Sequence, residues 1–299
     1  MREEKGLPLV SVAIITFNQK KFLKECIESI LDQNYINTEL VIADDCSTDG
    51  TQEMLKEYSK KYPNKFILKL STENQGITKN SNLAHFACSG KYIAWMGGDD
   101  LMLPGKLKKQ VEYMEKNLEC SICYHNLDVF ESKTNKTLYY YNEYKKYEGN
   151  IETIIKKGIF NGACSNMVRR SKAPREGFNL MIPIASDGLY WINTLYNGGT
   201  INYIDDVLGR YRRHSENITV KTNDIGLDSL DHLNTINILF REYPEFVEEI
   251  SCRASILFKG LRFKMNYKRA LLISNGYKIN LKSCAGLICY LISFGKIKL

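Results

Sequence analysis

The sequence predicts an α/β fold with a mostly parallel central sheet, flanked by helices and followed by a helical, basic C-terminal extension. Three observations carry this. Strand-like apolar runs alternate four times with helix-period segments over roughly the first 100 residues, the pattern of a parallel sheet with crossover helices. Two of those runs end at paired aspartates, Asp44-Asp45 and Asp99-Asp100. After Glu249 there are ten Lys or Arg residues and no Asp or Glu, against 31 basic and 34 acidic residues before it.

Leu9 to Phe17 is a β-branched run, read as a buried parallel strand that Asn18 breaks. Phe22, Cys26, Ile27, Ile30 and Leu31 recur at helical spacing, so a helix covers 20–33. Glu39 to Ala43 is the second strand, and the polar cluster 44–51 leads into a helix with Met54, Leu55 and Tyr58 on one face. Lys65 to Leu70 is the third strand, Asn74-Gln75-Gly76 a turn, and 78–88 a helix. Tyr92 to Met96 is the fourth strand and stops at Gly97-Gly98-Asp99-Asp100. Open α/β sheets bind ligands at the carboxyl ends of their strands, so the two acidic pairs can face one crevice. Adjacent carboxylates repel unless a cation lies beside them. Mg²⁺ or Mn²⁺ on a substrate phosphate meets that need; a solvated acidic turn is the plainer reading.

Beyond this, Pro104 to Glu115 reads as a helix and Ser121 to Phe130 as a strand. The Tyr- and Lys-rich stretch 131–150 reads as a hairpin or a mobile loop. Ser186 is placed as the N-cap of a helix carrying Ile192 and Leu195. Asp187 then lies in its first turn, either capping it or doing chemistry. A strand within 200–211 leads to Arg210-Tyr211-Arg212-Arg213-His214, whose cations need solvent or anions. At least one helix covers 226–250. The tail mixes Ile256, Leu257, Phe258, Leu261, Phe263 and Leu287 to Phe294 with lysines, which fits an anionic membrane surface or a packed helix with a basic outer face. Its apolar runs, like the N-terminal one, are too short to span a bilayer.

Bulk features exclude several classes. A hydrophobic content of 44% over 299 residues supports a sizeable core in one large or two small domains. The nine cysteines lack regular spacing, and Cys120–Cys123 is a lone C-x-x-C without a second ligand pair, which argues against zinc and for a reducing cytoplasm. Residues 16–22 contain no glycine, so the dinucleotide fingerprint of an oxidoreductase is missing. The net negative charge before the tail argues against nucleic acid.

In order and spacing, several segments resemble the inverting family 2 glycosyltransferases of GT-A fold, of the bacterial surface-polysaccharide type. They are Val-Ser-Val-Ala-Ile-Ile-Thr-Phe-Asn at 10–18, Val-Ile-Ala-Asp-Asp-Cys-Ser-Thr-Asp-Gly-Thr at 41–51 and Asn-Gln-Gly-Ile-Thr-Lys-Asn-Ser-Asn at 74–82. Gly-Lys-Tyr-Ile at 90–93, Gly-Asp-Asp at 98–100, Ser-Asp at 186–187 and Tyr-Arg-Arg-His at 211–214 complete the set. The resemblance implies a GT-A nucleotide-diphospho-sugar transferase domain over 1–220 and a helical extension over 221–299 that can contact a membrane surface. It implies that Thr16, Phe17, Asn18, Asp44, Asp45, Lys79, Asp99 and Arg212 hold the nucleotide diphosphate. It implies that Asp99, Asp100 and His214 lie around Mn²⁺ or Mg²⁺, and that Asp187 is the general base. Where the family has Asp-x-Asp-Asp this chain has Gly97 first, so the metal shell relies on Asp100 and water; where the base sits in a Glu-Asp pair, Ser186 replaces the Glu. The implied partners are a nucleotide-sugar donor, UDP-linked first, and a glycan or lipid-linked acceptor at the cytosolic leaflet. A catalytically inactive donor-binding or scaffold protein of the same fold is the alternative. The oligomeric state is not implied.

Overall fold

The structure, a computed structural model, describes residues 6–144, 146–158, 161–218, 227–261, 272 and 281–297. It forms two compact units, Met1–Ile151 with Ile159–Asn217, and Glu152–Gly158 with Ile218–Leu299.

The first unit is built on a nine-stranded sheet. Four parallel strands open it: β1 (Val10–Thr16), β2 (Thr38–Asp44), β3 (Phe66–Leu70) and β4 (Tyr92–Gly97), in the order β3-β2-β1-β4. β1 and β2 are buried along nearly their whole length, which is why they read as continuous apolar runs rather than alternating ones. Beyond β4 come β8 (Met167–Arg169), β6 (Cys120–Glu131), β9 (Thr200–Arg213) and β5 (Leu101–Met102), with β7 (Thr137–Tyr140) on the free part of β6. β8 runs antiparallel to both β4 and β6, so β6 and β9 again point the way β4 does. The sheet is mostly parallel, as the sequence predicts. β5 and β8 are not anticipated by the sequence reading; at two and three residues they are shorter than any periodicity can register. The 131–150 stretch resolves into the β6–β7 hairpin.

The helices α1 (Lys20–Leu31), α2 (Thr51–Lys61), α3 (Ile77–Ala87), α4 (Lys106–Lys116) and α6 (Asp187–Tyr196) cover this sheet; α5 (Ile151–Lys157) falls almost wholly in the second unit. Leu23, Cys26, Ile27 and Ile30 of α1 and Leu107, Val111 and Met114 of α4 share one core with Val12, Ile14, Ile42, Ala94 and Met96. Each such aliphatic side chain contributes roughly 1.5–3 kcal/mol on burial. Trp95 alternates with Ala94 and Met96, so it faces the other side. There it meets Phe178 at 5.0 Å and Tyr190 at 5.7 Å, and those two rings stack at 4.2 Å. Cys120 and Cys123 are buried in the first core.

Register aligns the chemistry. Thr16 sits opposite Asp44, and Ile15 opposite Gly97. The order of the parallel strands reverses at β1, so the loops after β1 and β4 part there and leave a crevice. Both acidic pairs open onto that edge.

The second unit contains α7 (Leu227–Glu242), α8 (Val247–Leu261) and α9 (Leu281–Ile292). Gly158, at φ +80, lies so close to the Arg253 guanidinium that an added Cβ would stand 2.2 Å from it. The expected boundary at 220–221, residue 226, Phe263 and the lysines at 264, 268 and 278 lie outside the described residues.

Candidate active site at the carboxyl ends of β1, β2 and β4

The loops after β1 and β2 are laced together. The Asn18 amide donates to Ser47 Oγ at 2.7 Å, and Asn18 Oδ1 accepts from the Thr48 amide at 2.8 Å. Asn18 takes φ +51, a left-handed backbone that Asn tolerates better than most residues. Asp44 is fully buried and accepts from the Ser47 amide at 2.9 Å, the Ser47 hydroxyl and Gln52 Nε2 at 2.8 Å. A carboxylate offers about four lone-pair sites, so one stays open. Asp45 accepts from the amides of Gln75 at 2.8 Å and Gly76 at 2.9 Å. Thr16 is buried, whereas the Phe17 ring is 44% exposed at the rim. Lys79 stands exposed on α3.

The second acidic pair is held by the end of β9. Arg212 donates from its amide to Asp100 Oδ1 at 3.0 Å and from Nε to the Asp99 carbonyl at 2.7 Å. Its buried guanidinium pairs with Glu25 at 2.6 Å and lies over the Phe22 and Phe130 rings at 4.8 and 4.9 Å. The Glu216 amide donates to His214 Nδ1 at 3.2 Å, so that nitrogen is the acceptor and Nε2 carries the proton it gives to Asp99 Oδ2 at 3.0 Å. Asn217 Nδ2 adds a second donor to the same oxygen at 3.0 Å.

The other two oxygens converge. A Cβ on Gly97 would stand 2.9 Å from Asp99 Oδ1 and 3.2 Å from Asp100 Oδ2. Burial, and then the Asp99 charge, push the Asp100 carboxyl well above the usual range. Burial, and then Asp100, likewise keep the thiols of Cys26 and Cys164 protonated, and Cys164 hydrogen-bonds Asp100. Two hard oxygens facing one small volume suit a divalent cation. Among the described residues no group of three or more His, Cys, Asp or Glu side chains surrounds a common point. His214, which the resemblance puts at the metal, bonds Asp99 Oδ2 through Nε2 in this structure.

Asp187 opens α6, half-buried, its Oδ1 accepting from the Gly188 amide at 2.9 Å. Burial raises its carboxyl pKa. Ser186 occupies the N-cap position but does not cap; its hydroxyl lies 2.9 Å from Thr78 Oγ1. Thr78 has one proton and gives it to the Ile182 carbonyl at 2.7 Å, so Ser186 is the donor of that pair. One face of α3 continues the clasp. Asn82 grips Phe178 through both backbone groups, at 2.7 and 3.0 Å, and His85 Nδ1 meets Tyr190 Oη at 3.1 Å. Residues 78, 82 and 85 share a helical face by spacing alone. This stripe fixes the segment that carries Asp187.

The structure thus brings Thr16, Asn18, Asp44 and Asp45 together at one side, and Asp99, Asp100, Arg212 and His214 together next to them. Sequence reasoning missed Asn217, Cys164, Glu25, Gln52 and Thr78. Asn217 follows His214 by three residues, a spacing that could have flagged a turn; the others carry no local signal.

A sequence model of glycosyl transferase family 2 matches residues 11–177, more than half of the chain, which therefore belongs to that family. Bacillus subtilis putative glycosyltransferase EpsE is 38% identical over 124 residues, 42% of this chain and 45% of EpsE; the chain thus aligns with less than half of that relative's length. The putative teichuronic acid biosynthesis glycosyltransferase TuaG of the same species is 28% identical over 71% of this chain and 82% of its own. The fold matches S. aureus TarS in complex with UDP-GlcNAc, with a TM-score of 0.64 at 18% identity over 96% of this chain and 88% of that one. It also matches the mannosyltransferase PcManGT from Pyrobaculum calidifontis in complex with GDP-Man and Mn²⁺, with a TM-score of 0.64 at 18% identity over 99% and 82%.

Thr78→Val removes the donor to Ile182 and the acceptor for Ser186. Leaving such buried groups unpaired costs about 1–3 kcal/mol. Hydrogen exchange should quicken at 182–190 well beyond any change at β1 or β2. Equal exchange in both regions would show that the stripe does not fix this segment.

Proposed function

We propose that this glycosyltransferase moves a sugar from a nucleoside-diphosphate donor, UDP-linked first, to a glycan or lipid-linked acceptor with inversion, in bacterial surface-polysaccharide synthesis. The observation that carries it is the convergence of Asp99 Oδ1 and Asp100 Oδ2 beside Gly97, at the crevice between β1 and β4. The complexes of TarS with UDP-GlcNAc and of PcManGT with GDP-Man and Mn²⁺ support the donor class, and TuaG supports the setting.

In this reading Asp44 spends its remaining lone pair on the base, while the Phe17 ring and the Thr16–Asn18 backbone line the nucleoside. Asp45 orients the 74–76 turn, and Lys79 reaches the diphosphate. Asp99 and Asp100 hold Mn²⁺ or Mg²⁺, which when bound neutralises charge on the leaving diphosphate. Arg212 and His214, first expected at the diphosphate or the metal, are already bonded to Asp99 and act by fixing the acidic pair. Asp187 takes the proton of the acceptor hydroxyl as it attacks the sugar C1 from the face opposite the diphosphate. A general base contributes about 10²–10⁴-fold.

Asp187→Asn should lower turnover by about that factor while calorimetric UDP binding is retained. The base works ionised, and burial has raised its pKa. Wild-type turnover should therefore fall, as pH drops, above the usual carboxylate range, and the mutant should lack that limb. Full turnover in Asp187→Asn refutes the assignment.

No helix among the described residues is long and apolar enough to cross a membrane. Around α9, however, Leu281, Ile292 and Phe294 are 84%, 74% and 95% exposed in a segment without acidic residues. Apolar side chains beside lysines suit the surface of an anionic leaflet, so we place the enzyme peripherally on the cytosolic face. Ile292→Asp with Phe294→Asp should weaken flotation with phosphatidylglycerol vesicles at least tenfold; undiminished flotation contradicts the placement.

A further inference from the structure

β7 is an edge strand whose four residues are all exposed, an unusual place for a Leu-Tyr-Tyr sequence. Its tyrosines do not share a face. Tyr139 pairs in register with Val129, and Tyr140 with Asp128, so the two rings point to opposite sides of the sheet. On the Tyr139 side the aromatic surface continues. Arg213 Nη2 donates to Tyr139 Oη at 3.3 Å, and its guanidinium lies 4.8 Å from the Tyr211 ring centre. Tyr211 meets Tyr141 edge-on at 6.2 Å. Tyr141 in turn feels the Asp187 charge, which adds to burial in raising its phenol pKa. Exposure falls along this line, from Tyr139 at 46% to a Tyr141 packed against the core. The line thus runs inward from open solvent to the core of the first unit, where a Cβ on Gly162 would stand 3.7 Å from the Tyr211 ring and 3.9 Å from Cys164 Sγ.

β7 pairs with β6 on the edge that β8 also uses, since β9 fills the other, so it lies two steps from β1 in strand order, roughly 10 Å at the usual strand spacing. The chemistry of the line is specific. A pyranose ring presents a face of C–H bonds and a rim of hydroxyls. Tyrosine rings cover the first, and phenol and guanidinium groups bond the second.

We propose that Tyr139, Tyr141, Tyr211 and Arg213 form the acceptor subsite and that it takes an uncharged pyranose of a glycan chain, stacked on the tyrosines with one hydroxyl directed to Asp187. The proposal rests on Asp187 being the base.

Tyr139 and Tyr140 provide a matched test, since both are exposed and surface substitutions rarely shift stability by more than about 0.5 kcal/mol. The probe is a panel of chitotriose, cellotriose, maltotriose and mannotriose, read by saturation-transfer NMR on the full chain with UDP and Mn²⁺ present. At least one trisaccharide should receive saturation on its pyranose C–H protons. Tyr139→Ala should reduce that signal at least fivefold, and Tyr140→Ala should leave it unchanged. No saturation on any sugar, a signal unaffected by Tyr139→Ala, or equal losses in both variants would overturn the subsite. Calorimetry of UDP on the same samples reports the donor reading separately. Turnover retained in Asp187→Asn would displace the base while the saccharide signal still tells whether sugar binds here.

Discussion

Two carboxylates that repel each other are the constraint around which the catalytic unit is arranged. Asp99 and Asp100 are adjacent in sequence, and Asp100 is buried. Left alone they would protonate or move apart. The protein instead fixes one oxygen of each: His214 and Asn217 hold Asp99, and the Arg212 amide holds Asp100. Arg212 cannot drift, because Glu25 on α1 and the Asp99 carbonyl take its guanidinium. Arg212 is buried and Glu25 is 43% exposed, so the pair ties the last strand of the unit to its first helix at the protein surface. The free oxygens then share a volume that only a glycine at 97 leaves empty.

The second constraint is α3. Its N-terminal turn is held by Asp45, and its polar stripe holds the segment from Phe178 to Tyr190. One helix therefore spans from the nucleotide side to Asp187. Ser186, in place of the family's Glu, serves this attachment through its hydroxyl. The departure from the pattern puts a neutral hydroxyl bond beside Asp187, and that bond fixes its position.

Much of this was legible in the sequence. β1, β2 and β4 are buried on both faces, and buried parallel strands leave unbroken β-branched runs. Asp44, Asp45, Asp99 and Asp100 stood out because paired acids after apolar runs are costly without a purpose. What was hidden is long-range. Nothing near Arg212 announces Glu25, which lies 187 residues earlier. The resemblance put His214 at the diphosphate or the metal, but no local signal announced that the Glu216 amide selects the tautomer that donates to Asp99. Ser186 matched a helix cap by type and position, but Thr78, 108 residues away, claims its hydroxyl. β5 and β8 are too short to carry a period, and pairing alone creates them.

In the proposed function the acidic pair needs a cation to receive a nucleoside diphosphate. Calorimetric titration of UDP, in Mn²⁺ and then in EDTA, tests this most directly. We expect clear binding with Mn²⁺ and at least a tenfold loss in EDTA, with magnesium restoring part of it. Equal affinity in EDTA would contradict the role given to Asp99 and Asp100, and no binding of UDP, GDP or dTDP with Mn²⁺ would contradict the donor site itself.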